Sequence, residues 1–352
     1  MTATLPHPNR PFALETAGDV HAGPLEFEAI AARAEADGYD AIGATELQHD
    51  PFLSLAVAAR GTSTIELGSS IAVAFARNPM TVAVSANDLQ LLSNGRFTLG
   101  LGSQIKPHIE RRFSMPWSQP AERMRDFVLA VRAIQNAWQT GEKLDYRGEF
   151  YQHTLMTPMF APEPNPHGAP KIAVAAVGQL MTEVAGEVAD GWLSHSFTTV
   201  RYLREVSLPA LSRGAARAGR AADAVGVSVP SFVAVGSNQS ELDAAIHATR
   251  KQIAFYGSTP AYAPVLELHG WGGVHETLNA ASRRGEWDAM ADAIDDEMLA
   301  AFAAVGTPTE VAAQLRERFT GLATRVAFAF SNPVSPELSG EIVAALDGAA
   351  SE

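Results

Sequence analysis

Three side chains near predicted strand ends have the chemistry for proton transfer. His49 follows an apolar strand in the sequence ELQHDP, and His195 lies at the end of another strand in the sequence WLSHS. Histidine is the first candidate for an acid or base because its ordinary pKa lies near neutrality. The carboxylate of Asp50 can orient the His49 ring, and Glu46 is a candidate site carboxylate. Three structural roles stay open: Asp50 caps the next helix with His49 in solvent, His195 is a hydrogen-bonded structural residue, and Glu46 pairs with an arginine such as Arg77.

Other catalytic chemistries find little support in the residue types. The chain has no cysteine, which excludes disulfides, thiolate nucleophiles and cysteine-ligated metal sites. The spacing of His269 and His275 matches no common metal site, so we predict no metal. There is no GxSxG motif and no P-loop, which argues against a hydrolase or a nucleotide triphosphatase. Candidates for lining an apolar substrate pocket, or for packing in a lid, are Phe255, Tyr256, Tyr262 and Trp271.

A strand followed by a glycine suggests an anion site. The apolar run Lys171–Val177 leads into Gly178–Met181 and then into a helix. A glycine permits close approach of a ligand, and a helix N-terminus offers unpaired N–H groups and a positive dipole end. This pattern predicts a phosphate site. The alternative is an ordinary turn in which Gly178 is needed only for its backbone angles.

The segment from Ile65 to Gln104 predicts a strand, a helix and a second strand joined by tight connections. The apolar run Ile65–Phe75 stops at Asn78-Pro79, a helix cap with a first-turn proline. The helix ends at Asn94-Gly95, and the strand Phe97–Leu101 follows. Both strands lack alternation, as strands buried on two faces do, so we expect parallel neighbours with their chemistry at the strand ends.

Eight strand-like runs with helices between them predict an α/β fold, a (β/α)8 TIM barrel with insertions at the C-terminal mouth. A doubly wound sheet is the competing arrangement, but the glycine-rich dinucleotide fingerprint is missing. We predict a single domain over residues 1–352, with insertions at about 140–170 and 257–305. The predicted strands are Phe12–Thr16, Tyr39–Thr45, Ile65–Phe75, Phe97–Leu101, Lys171–Val177, Gly191–Ser194, Val225–Val235 and Arg325–Phe330.

Composition favours a soluble cytoplasmic enzyme that acts on a small molecule. The 352 residues are 47% apolar and carry a net charge of −13, which argues against nucleic-acid binding because that needs a basic patch. No stretch approaches the roughly 20 apolar residues of a membrane span. The first residues, MTATLPHPNRPF, lack the apolar core of a signal peptide.

The chain resembles the bacterial luciferase-like superfamily, and within it the oxidoreductases that depend on the deazaflavin coenzyme F420. The resemblance rests on the stretches GYD, IELGSSIAVAFARNP, LLSNGRFTLGLGS, LDYRGEFYQ, AAVGQLMTEVAGEVADGW and GTPTEVAAQL. It implies a TIM barrel with insertions, a cytoplasmic oxidoreductase and a homodimer.

The resemblance also implies where the cofactor binds. Relatives carry a strand bulge, often with a non-prolyl cis peptide, that supports the cofactor ring from behind; here it falls at Ser69, Ser70 and Ile71. The turn Gly102, Ser103 and Gln104 is expected to border the ring. The cofactor phosphate is expected at the loop of Val177, Gly178, Gln179, Leu180 and Met181.

The implied function is hydride transfer between F420 and a small organic substrate, either an activated C=C, C=N or C=O bond or an alcohol. Several F420-dependent relatives place an Asp-His pair after the second strand and a Glu after the fourth, where this chain has Glu46-Leu47 and Gln104-Ile105. The mechanism of those relatives therefore does not transfer. The alternatives are an FMN-dependent luciferase-like monooxygenase and a non-catalytic protein that binds a flavin or deazaflavin.

Overall fold

The computed structural model describes residues 9–287 and 289–348, in which strands alternate with helices. These residues divide into two compact units. The N-terminal unit comprises Glu15–Leu193 and Ala210–Gly226, and the C-terminal unit comprises residues 9–14, 194–209 and 227–348. None of the described helices is long and apolar enough to cross a membrane.

The N-terminal unit consists mainly of parallel strands, each followed by a helix. Its strands neighbour one another in the order β1, β2, β3, β5, β8 and β9. Their bounds are β1 Ala13–Thr16, β2 Ala41–Ala44, β3 Glu66–Ser69, β4 Ala72–Val73, β5 Phe97–Gly102, β6 Tyr146–Arg147, β7 Gln152–His153, β8 Lys171–Ala175 and β9 Gly191–Leu193. The helices are α1 Pro24–Ala36, α2 Pro51–Gly61, α3 Pro79–Leu92, α4 Pro120–Thr140 and α5 Gln179–Val188.

The C-terminal unit places two parallel strands beside one long strand. β10 (Gly226–Val235) pairs with β11 (Ala303–Gly306) and with β12 (Arg325–Phe330). Two helices, α6 Val200–Tyr202 and α7 Leu208–Arg217, precede β10. The later helices are α8 Gln239–Gly257, α9 Ala263–Leu268, α10 Gly272–Arg284, α11 Asp296–Phe302, α12 Pro308–Phe319 and α13 Pro336–Gly348.

Side-chain caps fix several of these helices where the sequence predicted them. The Asn78 side chain accepts a hydrogen bond from the Met80 amide at 2.8 Å, with Pro79 in the first turn of α3. At the other end of α3 the chain turns through Asn94 and Gly95, both left-handed. The capping box predicted from Thr307 to Glu310 is present at α12.

Strand boundaries required three corrections. The predicted strand Ile65–Phe75 is two short strands, β3 and β4, because four residue steps from Gly68 to Ala72 lie opposite three steps of β5. This one-residue bulge breaks the ladder. The strand β11 was missed because it follows α11 without a turn. The antiparallel hairpin β6–β7 lies inside the first predicted insertion, which otherwise has no strand or helix between α4 and β8.

Candidate functional site

The carboxyl ends of β2, β3, β5 and β8 lie along one edge of the N-terminal unit, because these strands are parallel neighbours. In parallel α/β folds this edge is where ligands bind. Most of the side chains predicted for the site lie here or in the loops that follow.

Glu46 is held in an ion pair two residues beyond β2. Its carboxylate receives the Arg77 guanidinium at 2.7 and 2.5 Å and the Val73 amide at 2.7 Å. Arg77 also donates to Asp50 at 2.8 Å and lies over the ring of Phe52. The carboxylate is largely buried, with 8% of its side chain exposed. The structure thus supports the pairing alternative, in which Glu46 positions the loop after β4.

His49 is exposed and lines an open groove. Asp50 caps α2 by accepting the Phe52 amide at 2.8 Å, which is the alternative raised for this segment. The groove holds about 510 Å³, and His49 shares it with Asp19, His21 and Glu26. His49 is therefore reachable by a ligand, while its neighbouring carboxylate is engaged in capping and in the pair with Arg77.

The bulge after β3 places the predicted ring-supporting residues, and the Ser70–Ile71 peptide bond is cis. Ser69 is buried; its hydroxyl donates to the Gly100 carbonyl at 2.8 Å and accepts the Gly100 amide at 2.9 Å. Since a Cβ on Gly100 would lie 1.9 Å from the Ser69 carbonyl oxygen, glycine is required there. The Ser69 side chain thus ties the bulge to β5, and Ser70 and Ile71 are the partly exposed members of the three.

The turn after β5 is fixed by local hydrogen bonds. A Cβ on Gly102 would lie 2.7 Å from the Ile71 side chain, so this glycine lets the bulge pack closely. Ser103 donates to the Gln104 carbonyl at 3.1 Å. Gln104 is left-handed, and its side-chain oxygen accepts the Ile105 amide at 3.0 Å. Ser103 and Gln104 are only partly buried, so they border the edge as predicted while holding their own turn.

The loop after β8 presents a helix N-terminus without a side-chain cap. Gly178 is the N-cap of the ten-residue helix α5, and no side chain accepts its first amides. A Cβ on Gly178 would meet nothing within 4 Å, and Gln179 and Leu180 are exposed, while Val177 and Met181 are partly buried. Open backbone amides at a positive dipole end are the donors that a phosphate uses.

Side chains from other elements support this loop. The indole of Trp192 on β9 donates to the Ala176 carbonyl at 3.1 Å, which fixes the chain just before the glycine. Arg213 on α7 donates to the Gln179 side-chain oxygen at 3.4 Å and pairs with Glu183 at 2.9 Å. Arg213 is half exposed and adds a positive charge beside the loop. Sequence reasoning missed it because no local pattern links α7 to the loop.

His195 belongs to an aromatic cluster of the C-terminal unit. Its ring stacks on Tyr262 with centroids 4.8 Å apart and meets the edge of Tyr256 at 4.6 Å. The amide of Phe197 donates to Nδ1 at 3.0 Å, so the hydrogen of the neutral ring is on Nε2. Burial lowers the His195 pKa to about 4, which makes the ring a neutral hydrogen-bond donor at pH 7. Burial also raises the pKa of Tyr262 to about 12.

The other late histidines make structural contacts. His269 stacks on Trp271 with centroids 4.3 Å apart and bonds to the Thr199 hydroxyl at 2.8 Å. His275 Nδ1 donates to the Gly257 carbonyl at 2.7 Å. Among the residues that the structure describes, no three His, Asp or Glu side chains are grouped to hold a metal ion.

Similar proteins include enzymes of known activity and others without one. A sequence model of the luciferase-like monooxygenase family matches residues 7–325. An uncharacterized protein of Mycobacterium tuberculosis is 59% identical over 292 residues, covering 83% of this chain and 86% of the relative. The 5,10-methylenetetrahydromethanopterin reductase of Archaeoglobus fulgidus is 29% identical over 321 residues, covering 89% and 91%.

Solved structures confirm the predicted TIM-barrel fold. The coenzyme F420-dependent tetrahydromethanopterin reductase of Methanopyrus kandleri superposes with a TM-score of 0.75 at 22% identity, covering 97% of this chain and 98% of that one. The oxygenating constituent of 3,6-diketocamphane monooxygenase from Pseudomonas putida, solved with FMN, gives 0.67 at 17% identity, covering 97% and 98%. The resemblance seen in the sequence is confirmed, and because the family match spans most of its length, this chain belongs to the luciferase-like monooxygenase family.

Proposed function

We propose that this protein is an oxidoreductase that transfers hydride between the deazaflavin coenzyme F420 and a small organic substrate. Membership of a family of redox enzymes makes an enzymatic role the natural reading. The choice of F420 is supported by the F420-dependent reductase of Methanopyrus kandleri and by the reductase relative of Archaeoglobus fulgidus.

The observation that carries the proposal is the uncapped N-terminus of α5 on the edge that also holds the bulge after β3. F420 is a planar heterocycle with a phosphate-bearing side chain, so it needs both an anion site and a surface for its ring. The amides of Gln179, Leu180 and Met181 provide the first, and the open space at Gly178 leaves room for it. Ser70, Ile71 and the turn at Gly102 provide the second.

The residues fit this group, and each has a definable task. When bound, F420 supplies or accepts the hydride at its ring carbon. Gly178–Met181 hold the phosphate through backbone amides, and the bulge orients the ring. His195 keeps a hydrogen on Nε2 at neutral pH and is our candidate for donating it to a substrate oxygen. His49 is a second candidate for proton transfer, and Glu46 is assigned to positioning through Arg77.

FMN is the second candidate cofactor. It also carries a phosphate and a planar ring, so the same loop and bulge suit it, and the camphane monooxygenase structure was solved with FMN. With FMN the protein would act as a monooxygenase supplied by a separate reductase.

Titration of the purified protein with each cofactor, followed by tryptophan fluorescence, tests the proposal. Binding of F420 alone supports it, binding of FMN alone transfers the assignment to a monooxygenase, and binding of neither overturns both. Tight binding of F420 without turnover over a broad substrate panel overturns the catalytic part.

The variant Gly178→Asp tests the phosphate loop. The added carboxylate occupies the anion site, so cofactor affinity falls at least about tenfold, or 1.4 kcal/mol. Gly178→Asn is the matched control, since asparagine caps a helix as well as aspartate but adds no charge. Equal affinities for the two variants would show that no phosphate binds there. Gly340→Asp places the same charge in open space on α13 and should leave affinity unchanged.

A further inference from the structure

A second concave site lies in the C-terminal unit beside α8. It holds about 340 Å³, which is the size of a small-molecule site. One face of α8 forms a wall, because its lining residues recur at helical spacing. The residues that line it are Ala248, Lys251, Gln252, Phe255, Trp287, Met290 and Ser331.

The walls of this pocket are flat and apolar. Phe255 and Trp287 leave 48% and 46% of their surfaces exposed, although their ring centroids lie only 6.0 Å apart. Met290, which is buried, lies behind them. Two large aromatic side chains left half exposed around a concavity mark a binding surface, since burying them against a ligand removes apolar area from water.

One polar group in the pocket lacks a partner. The Ser331 hydroxyl, immediately after β12, is inaccessible to solvent and makes no hydrogen bond within the described structure. A buried hydroxyl without a partner is costly, so a ligand atom that bonds to it gains free energy. A serine hydroxyl both donates and accepts, so it can bond to a carbonyl oxygen or to a hydroxyl group.

The pocket is connected to His195 through α8. The Gln252 side chain hydrogen-bonds to the Tyr256 hydroxyl, and the Tyr256 ring contacts both Phe255 and His195. All these residues belong to the C-terminal unit. The pocket therefore shares an aromatic wall with our candidate proton donor.

We infer that this pocket binds the substrate, and that the substrate is a flat, largely apolar compound with one carbonyl or hydroxyl oxygen. The inference rests on the proposed function. Addition of a hydride to a carbonyl carbon and a proton to its oxygen gives the alcohol, so both members of the redox pair carry an oxygen that Ser331 can bond. Phe255, Trp287 and Met290 select for the flat apolar body.

Binding of acetophenone and of ethylbenzene to the cofactor-free protein, measured by ligand-observed NMR, tests this assignment. The two probes share the ring and differ in the carbonyl oxygen. We expect Ser331→Ala to weaken acetophenone binding about 5- to 10-fold, the equivalent of one hydrogen bond. The same substitution should leave ethylbenzene binding unchanged, while Phe255→Ala should weaken both probes.

Leu53→Ala, which truncates an exposed apolar side chain on α2, is the control and should bind both probes like the parent protein. Equal acetophenone affinity for the parent and for Ser331→Ala would overturn the inference, as would probe binding that survives Phe255→Ala. Because no cofactor is present, this failure is distinct from a failure of F420 to bind.

Discussion

At the scale of single residues, His195 carries the clearest pH dependence. Its pKa is lowered from 6.5 to about 4 because the ring is packed between Tyr256 and Tyr262. Between these two pH values the unfolded chain binds a proton that the native protein excludes. Stability therefore falls as the pH is lowered from 6.5 towards 4, by on the order of 2 kcal/mol from this residue.

His195→Gln should remove this contribution, since glutamine keeps an N–H donor but does not titrate. We expect the free energies of unfolding of the parent and the variant, measured in urea, to converge as the pH falls from 6.5 to 4.5. Parallel pH dependences would contradict the assignment. Turnover should likewise show no inflection from His195 between pH 5 and 8, and an NMR titration of the ring gives its pKa directly.

The sequence was a good guide to residues whose partners are near in the chain. The cap at Asp50 and the option of pairing Glu46 with an arginine were both visible in it. The lowered pKa of His195 was not, because Tyr256 and Tyr262 reach it from elements far along the chain. The same holds for Arg213, which comes to Gln179 from α7.

At the scale of elements, one carboxylate anchors the hairpin β6–β7 to α4. Asp126 is buried and accepts the amides of Phe150 at 2.6 Å and Tyr151 at 3.0 Å, together with the Tyr146 hydroxyl. Burial and this bond raise the pKa of Tyr146. Asp126→Ala leaves several buried donors unpaired, so we expect a loss of about 3 kcal/mol in urea unfolding and faster proteolysis within residues 145–153.

Asp145→Ala is the control for this hairpin. Asp145 is half exposed and pairs with Arg147, and an exposed pair of this kind contributes little, so its loss should change stability by no more than about 0.5 kcal/mol. Similar stabilities for the two variants would contradict the anchoring role of Asp126. The hairpin escaped sequence prediction for the same physical reason: its main hydrogen-bond acceptor lies on a helix and not in the hairpin itself.

At the scale of the whole molecule, the alternation of apolar runs with capped helices was enough to predict the fold class. Strands buried on both faces read as continuous apolar runs, and the caps at Asn78 and Thr307 delimit α3 and α12. The arrangement of α9, α10 and α11 was not predictable, because short helices in an insertion are held by tertiary packing and carry weak local signals. The pocket beside α8 is part of that arrangement.

Cofactor binding should also be measurable as a gain in the stability of the entire chain. A ligand that binds only the native state stabilises it by about 2.7 kcal/mol when its concentration is 100 times Kd. For a chain of 352 residues this corresponds to a rise in Tm of about 3–4 °C. Differential scanning calorimetry should show this rise with F420 for the parent protein and for Gly340→Asp, and a smaller rise for Gly178→Asp at the same concentration. The comparison separates the phosphate loop from nonspecific stabilisation, because the two aspartate variants carry the same net charge. A rise with F420 that Gly178→Asp does not reduce would mean that the coenzyme binds elsewhere on the molecule.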